Sequence, residues 1–504
     1  MKSALAIALV VAILPLIAQE EHNHPAPEKL GAVSFPTTCS STVQLRFERA
    51  VALLHSFAYA TSEQAFRDVA KSDPKCAMAH WGIAMTYYHQ LWEPWITSID
   101  LKRGLVELSE AQQLATDDRE RQYIAALTAY YRDSDKVPAT TRAKLYEQAM
   151  ANVAKANSSD SEAQIFYALA LLGTASPMDK THANEKRAAA ILEPLYKKFP
   201  QHPGIAHYLI HSYDSTELAR RGLDAARAYS KIAPSAPHAL HMPSHIFTRL
   251  GLWDESIESN VAARAAAHRQ ADIGEELHAM DYLTYAYLQR GREGDASLVL
   301  KDLKSKSELV ASDFKIGYAA TAMPVRYAVE RQDWAEAAKI QPLADAPPYV
   351  IAITYWARAV GMARSGQPDM AESEIRKLQQ CHDQMKARGD SYWVTQVHIQ
   401  LLEAQAWAAN ARRKTSDAVS MLRQAAAEED AVEKLPVTPG PIIPAREQLA
   451  DLLLALNRPK EALTEFEASL AAAPGRRGAL IGAAKAADML GEKTKAEQFR
   501  AALG

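Results

Sequence analysis

The chain has 504 residues with 57 Lys plus Arg against 60 Asp plus Glu, a formal net charge of -3. No extended run of one sign occurs, so non-specific nucleic-acid binding has no electrostatic support and no nucleic-acid partner is expected. The length exceeds what one compact core ordinarily fills, but a solenoid grows by adding units, and alanine-rich helical text with few hairpin signals points to an all-α protein.

In chain order, Lys2 precedes an apolar run from Ala4 to Ile17, interrupted by Pro15 and followed by small Ala18. Residues 1–18 therefore read as a signal peptide cleaved after Ala18, and the mature protein is expected to be secreted or periplasmic. The run is too short to span a bilayer and no later stretch has 18 consecutive apolar residues, so no membrane span is expected. Residues 19–41 read as a flexible leader carrying His22 and His24 in a solvated tail. A helical hairpin brings Cys39 and Cys76 together, and in an oxidising compartment a bridge there contributes about 2–4 kcal/mol. Cys381 reads as a packed free thiol.

Helical units follow from residue 42. The stretch CAMAHWGIAMTYYHQLW carries Trp81, Met85, Tyr88 and His89 at helical spacing and runs into Glu93-Pro94-Trp95, where proline stops a helix. Residues 99–195 are less regular. Between Phe199 and Gly251 the same text occurs twice at an offset of thirty-four: Pro200 returns as Pro234, Pro203 as Pro237, His207 as His241 and His211 as His245. The segment GEELHAMDYLTYAYLQRG adds His278, Asp281 and Tyr285, and later units bring Arg326 and Arg364. Four prolines and a glycine in residues 433–444 exclude helix and predict an ordered loop or lid. The final units run to Leu503, with Glu447 and Asp451 four apart, Asn457 at a turn and Pro474 as closing residue.

A thirty-four-residue period with a closing proline resembles the tetratricopeptide repeat, a helix pair that stacks into a superhelix. The resemblance covers 42–504 and is weak at 99–195. It implies an all-α, tetratricopeptide-type helix-pair solenoid whose first helices line a concave groove, and it places Trp81, Met85, Tyr88, His89, His238, Tyr285, Arg326, Glu447 and Asp451 on that groove. The family's usual partner is a protein or peptide laid in the groove, so an extracytoplasmic binding or assembly role is one expectation. HALHMPSHIFTRLG and PVTPGPIIPARE also resemble secreted bacterial proteins of this repeat type, a likeness that supplies no reaction. Members that clamp carboxylates use Lys, Arg and Asn; this groove has His, Trp, Tyr and Asp, so a clamp is not expected.

The other expectation is a metal-dependent protein. Two His four residues apart share one helix face, and the neighbouring first helix lies about 9–10 Å away. His207 and His211 would then meet His241 and His245 around a Zn or Cu ion, with His238, His278 and Asp281 as outer ligands or hydrogen-bond partners. An open coordination position would permit catalysis, and whether any reaction is catalysed stays open. The bland alternative is neutral His packed between helices. No phosphate loop, Cys-x-x-Cys pair, His-Glu-x-x-His helix or Gly-x-Ser-x-Gly elbow occurs.

Overall fold

The structure, a computed structural model, describes residues 28–503 apart from 92–95 and 308. The signal-peptide reading, His22, His24 and the stop at Glu93-Pro94-Trp95 lie outside the described residues. Among the described residues there is no strand. Helix pairs succeed one another from Gln44–His55 with Tyr59–Ser72 to Arg477–Met489 with Lys493–Ala501, an all-α helix-pair solenoid of tetratricopeptide type. No described helix is long and apolar enough to cross a membrane.

Small residues let successive units close on one another. A Cβ on Gly82 would meet the Phe66 ring at 2.4 Å, and one on Gly482 would meet the Phe466 ring at 2.1 Å. Each is a first-helix glycine beneath an aromatic of the preceding second helix, so the contact recurs near both ends. The 99–195 region is made of complete helices, Ser98–Leu114, Asp118–Tyr131, Ala139–Ala156, Ser161–Gly173 and Ala183–Lys198. Helices of 17 and 18 residues there blur the period in sequence.

The leader reading needs correcting over 28–41. Phe35 is fully buried and its ring meets Phe47, Trp81, Tyr123 and Phe166, while Ala32 N donates to Gln201 O at 2.9 Å. This segment plugs the first units, and the Cys39–Cys76 disulfide fastens it. Cys381 is a buried free thiol.

The superhelix also closes on itself. Trp253 Nε1 donates to Gly475 O at 3.0 Å and Thr216 Oγ1 to Ala472 O at 3.0 Å. Gly251, at φ +70°, leaves only 2.4 Å between an added Cβ and Pro474 O, so that approach admits no side chain. The 433–444 segment then crosses the concave side, held along its length. Glu433 N donates to Pro177 O at 2.7 Å, Lys434 Nζ to Asp214 at 3.0 Å, and Tyr282 Oη to the Pro436 and Thr438 carbonyls. Arg326 donates to Pro441 O at 2.9 Å. The prolines cost this segment amide donors, and its carbonyls are taken up by side chains of the helices it covers.

Candidate metal centre

The two repeated histidine pairs sit where the helices Pro203–Tyr213, Pro237–His241, Pro243–Arg249 and Ile273–Gln289 meet. Pro243 lacks an N–H and interrupts the helical run between His241 and His245. Six rings gather into two sets, His207 with His211 and His238, and His241 with His245 and His278, the ligand atoms of each set lying within 4.8 Å of one another. This corrects the expected grouping: the pairs do not face each other around one ion. Each pair is completed by one histidine from the next first helix, and His238 and His278 stand beside the pairs as equal members. Asp281 stands apart, fully buried against Arg326, whose Nε lies 3.6 Å from its carboxylate. Burial raises the Asp281 pKa to about 6 against the pull of Arg326.

In the first set, the Nε2 atoms of His211 and His238 lie 3.1 and 3.2 Å from His207 Nε2. In the second, His241 Nε2 and His245 Nε2 are 3.0 Å apart, and the His241 and His278 ring centroids 4.2 Å. The partners at Nδ1 fix the tautomers. His207 Nδ1 meets the His55 carbonyl at 2.6 Å, which can only accept, so the ring donates there. Asn260 Nδ2 donates to Ser256 O, leaving Asn260 Oδ1 to accept from His241 Nδ1 at 2.6 Å. Asp214 Oδ2 accepts from His245 Nδ1 at 2.9 Å. A neutral imidazole that donates at Nδ1 presents a lone pair at Nε2. His241 and His245 thus aim two lone pairs at each other across 3.0 Å, an arrangement that repels unless a cation lies between them.

A proton is poorly suited to be that cation. Burial pushes the His245 pKa down to about 4, against the pull of the Asp214 carboxylate. His207, His211, His241 and His278 are held well below the ordinary range, first by burial and then by their histidine neighbours. A metal ion that accepts imidazole nitrogen fits, and rings held at Nδ1 by a carbonyl, amide or carboxylate are oriented as metal-binding histidines commonly are.

Phe57 covers the first set, its ring 4.4 Å from His207 and 5.3 Å from His238. It sits at φ +53° in the turn that also offers the His55 carbonyl; a bulky residue in that region is an outlier that its surroundings must enforce. Tyr282 covers the second set, stacked on His245 at 5.1 Å. The sequence reading missed Phe57, Tyr282, Asn260, Asp214 and Glu275. Asp214, three residues after His211, and Glu275, three before His278, carried a positional hint; Phe57 and Asn260 carried none.

A third group, His55, Glu162 and His202, is filled by its own bonds. Glu162 accepts from His55 Nε2 at 2.9 Å and from His202 Nε2 at 2.8 Å, and His202 Nδ1 accepts the Ile205 amide. Burial would raise the Glu162 pKa, but the His202 and His55 rings bring it to about 2. Its chemistry is structural.

The residues placed on an open groove are largely enclosed. Trp81, Met85, Tyr88, Tyr285, Arg326 and Glu447 are buried. His89 stacks on Tyr59 at 3.9 Å. Glu447 accepts from Arg476 at 2.7 Å, and burial raises neighbouring Asp451 to about 7. A cavity of about 380 Å³ lies between the 433–444 segment and the helices Phe314–Glu330, Pro348–Arg364 and Ser391–Ala411, walled by Tyr318, Tyr349, Trp356, Tyr392 and Trp393. It lies across Arg249 and Lys434 from the histidines.

No family profile matches the sequence, and no curated protein matches it. Among solved structures, the human IFIT1 dimer with m7Gppp-AAAA is 15% identical, with 85% of this chain and 89% of that chain covered at a TM-score of 0.40. Naa15/Naa10 bound to HypK is 15% identical over 91% of this chain and 62% of that one at 0.24. The P58(IPK) TPR domain is 14% identical over 90% and 100% at 0.22. Likeness at this level carries no statement about ligand or partner.

Proposed function

We propose that this is an extracytoplasmic metal protein that holds two transition-metal ions, Zn or Cu, each on three histidines. The observation that carries it is the tautomer-fixed pair His241 and His245, whose Nε2 lone pairs face each other at 3.0 Å. Three neutral imidazoles leave a tetrahedral ion one further position, the arrangement of sites that act on a ligand. The extracytoplasmic assignment rests on the signal-like N-terminus and is supported by the Cys39–Cys76 disulfide. Equilibrium dialysis with Zn and Cu on protein lacking a polyhistidine tag tests the reading. Two ions per chain are expected, falling to one in His241→Ala and to none in the His207→Ala, His241→Ala double variant. Equal stoichiometry in all three proteins overturns it.

A second reading keeps the partner-binding role general among helix-pair solenoids. It is favoured by the aromatic-walled cavity, whose Tyr349 and Trp393 rings stack at 4.5 Å and offer a surface for a peptide side chain. Trp393→Ala would weaken such a partner and leave the metal content unchanged.

A further inference from the structure

The charges around the two sets select among ions, and the sets touch. Asp214, which orients His245, is already neutralised by Arg249 at 2.9 Å and Lys434 at 3.0 Å. Glu275, beside His238 Nδ1 at 3.2 Å, is neutralised by Lys315 at 2.6 Å. His207 and His241 donate to uncharged acceptors. Among the described residues neither set contains a carboxylate or thiolate, and the six rings are at most 8% exposed. Ions bound here therefore keep most of their charge in a poorly solvated place. The cost of burying an ion rises with the square of its charge, so by that scaling each divalent ion costs about four times as much to bury as a monovalent one. Among the metals that imidazole nitrogen suits, copper is the one with an accessible monovalent state.

Ring centroids across the two sets, 6.0 Å for His211 and His245 and 6.2 Å for His238 and His241, are little longer than those within them, 4.8 Å for His207 and His211 and 5.0 Å for His241 and His245. The rings of one set rest against those of the other. Phe57 closes one side with hydrocarbon, and Tyr282 turns its hydroxyl away to the Pro436 and Thr438 carbonyls. Each ion would have one open position in nearly dry surroundings.

We propose, resting on the metal reading above, that the six histidines hold a pair of copper(I) ions that together bind dioxygen. In that step each copper gives up one electron, dioxygen takes both and stays bound to the two cupric ions as peroxide, and no proton or further reactant is consumed. Loss of dioxygen returns the two electrons and restores the starting state.

The test loads the full mature protein with copper(I) without oxygen and measures stoichiometry against the chelator bicinchoninate. Oxygen is then admitted and the absorption and electron paramagnetic resonance spectra are recorded. Two copper ions per chain are expected, undisplaced by equimolar Zn. Oxygen should bring a near-ultraviolet charge-transfer band, loss of copper(I) from the chelator assay and no cupric resonance, because the two spins pair. His211→Gln and His278→Gln, each leaving one set whole, should retain one copper and lose the band; circular dichroism confirms their fold. Two bound Zn with copper(I) excluded would overturn the proposal and leave the metal reading standing. Two bound coppers that oxidise to ordinary resonant cupric ions would overturn the pairing. Binding of neither metal would remove both readings.

Discussion

Asp214 stands at a junction: one carboxylate orients His245, binds Arg249 and anchors Lys434 of the crossing segment. Burial alone would raise its pKa, but Lys434 and Arg249 hold it well below the usual carboxylate range. Asp214→Asn keeps the shape and removes the charge, so metal affinity in a chelator competition should fall about 10- to 100-fold, the usual cost of losing an orienting partner. Phe57 matters through its backbone as well as its ring, since the left-handed turn delivers the His55 carbonyl to His207. Asn457, at φ 59° in the turn between the helices Ala445–Ala455 and Pro459–Ala472, shows the same geometry away from the histidines. Asn457→Val should cost about 1–2 kcal/mol in urea unfolding, with unchanged metal content.

At the scale of elements, the turn around Arg476 ties the last units to the middle of the superhelix. Its fully buried guanidinium binds Glu447 at 2.7 Å and Glu330 at 2.9 Å and donates to Tyr285 Oη at 3.0 Å. Arg476→Ala strands two buried carboxylates and should cost about 3–5 kcal/mol, read as a lower urea midpoint. The segment 433–444 was legible as ordered and non-helical from its prolines alone. Where it lies was not, because its anchors at Pro177, Asp214, Tyr282 and Arg326 come from four separate units. Tyr282→Phe removes the single hydroxyl proton that the Pro436 and Thr438 carbonyls share, and limited proteolysis should then cut within 433–444 faster than in the parent chain.

For the molecule as a whole, pH acts through the buried histidines. His245, at about 4 when folded against an ordinary 6.5, stays neutral in the folded chain while the unfolded chain takes up its proton. Its contribution is therefore complete above about pH 6.5 and is lost as pH falls towards about 4, on the order of 3 kcal/mol at the bottom of that window. Glu429, raised by burial to about 8, and Asp451, raised to about 7, have the opposite sign and stabilise as pH falls towards the ordinary carboxylate range. Glu429 and Asp451 act in both proteins, so the metal-free parent measured against His245→Gln should lose on the order of 3 kcal/mol of relative urea stability between about pH 6.5 and about pH 4. A difference between parent and variant that stays constant over that interval would show that His245 is not held neutral.

The sequence by itself determined the repeat. Proline, glycine and histidine recur at thirty-four residues because each unit must turn, close and pack on its neighbour in the same way, and such local demands leave local marks. It also determined that His207 and His211 share one side, since four-residue spacing within one helix does so whatever surrounds it. Only the tertiary structure decided that the rings divide three and three, that His238 and His278 complete the sets, and that Asp281 turns to Arg326. Those outcomes depend on the rotation between successive first helices and on the break at Pro243, both set by packing across units. It decided, too, that the groove is closed, because burial of Tyr285 and Arg326 comes from a turn and a segment more than one hundred residues away in the chain. No short-range pattern records contacts made at that separation.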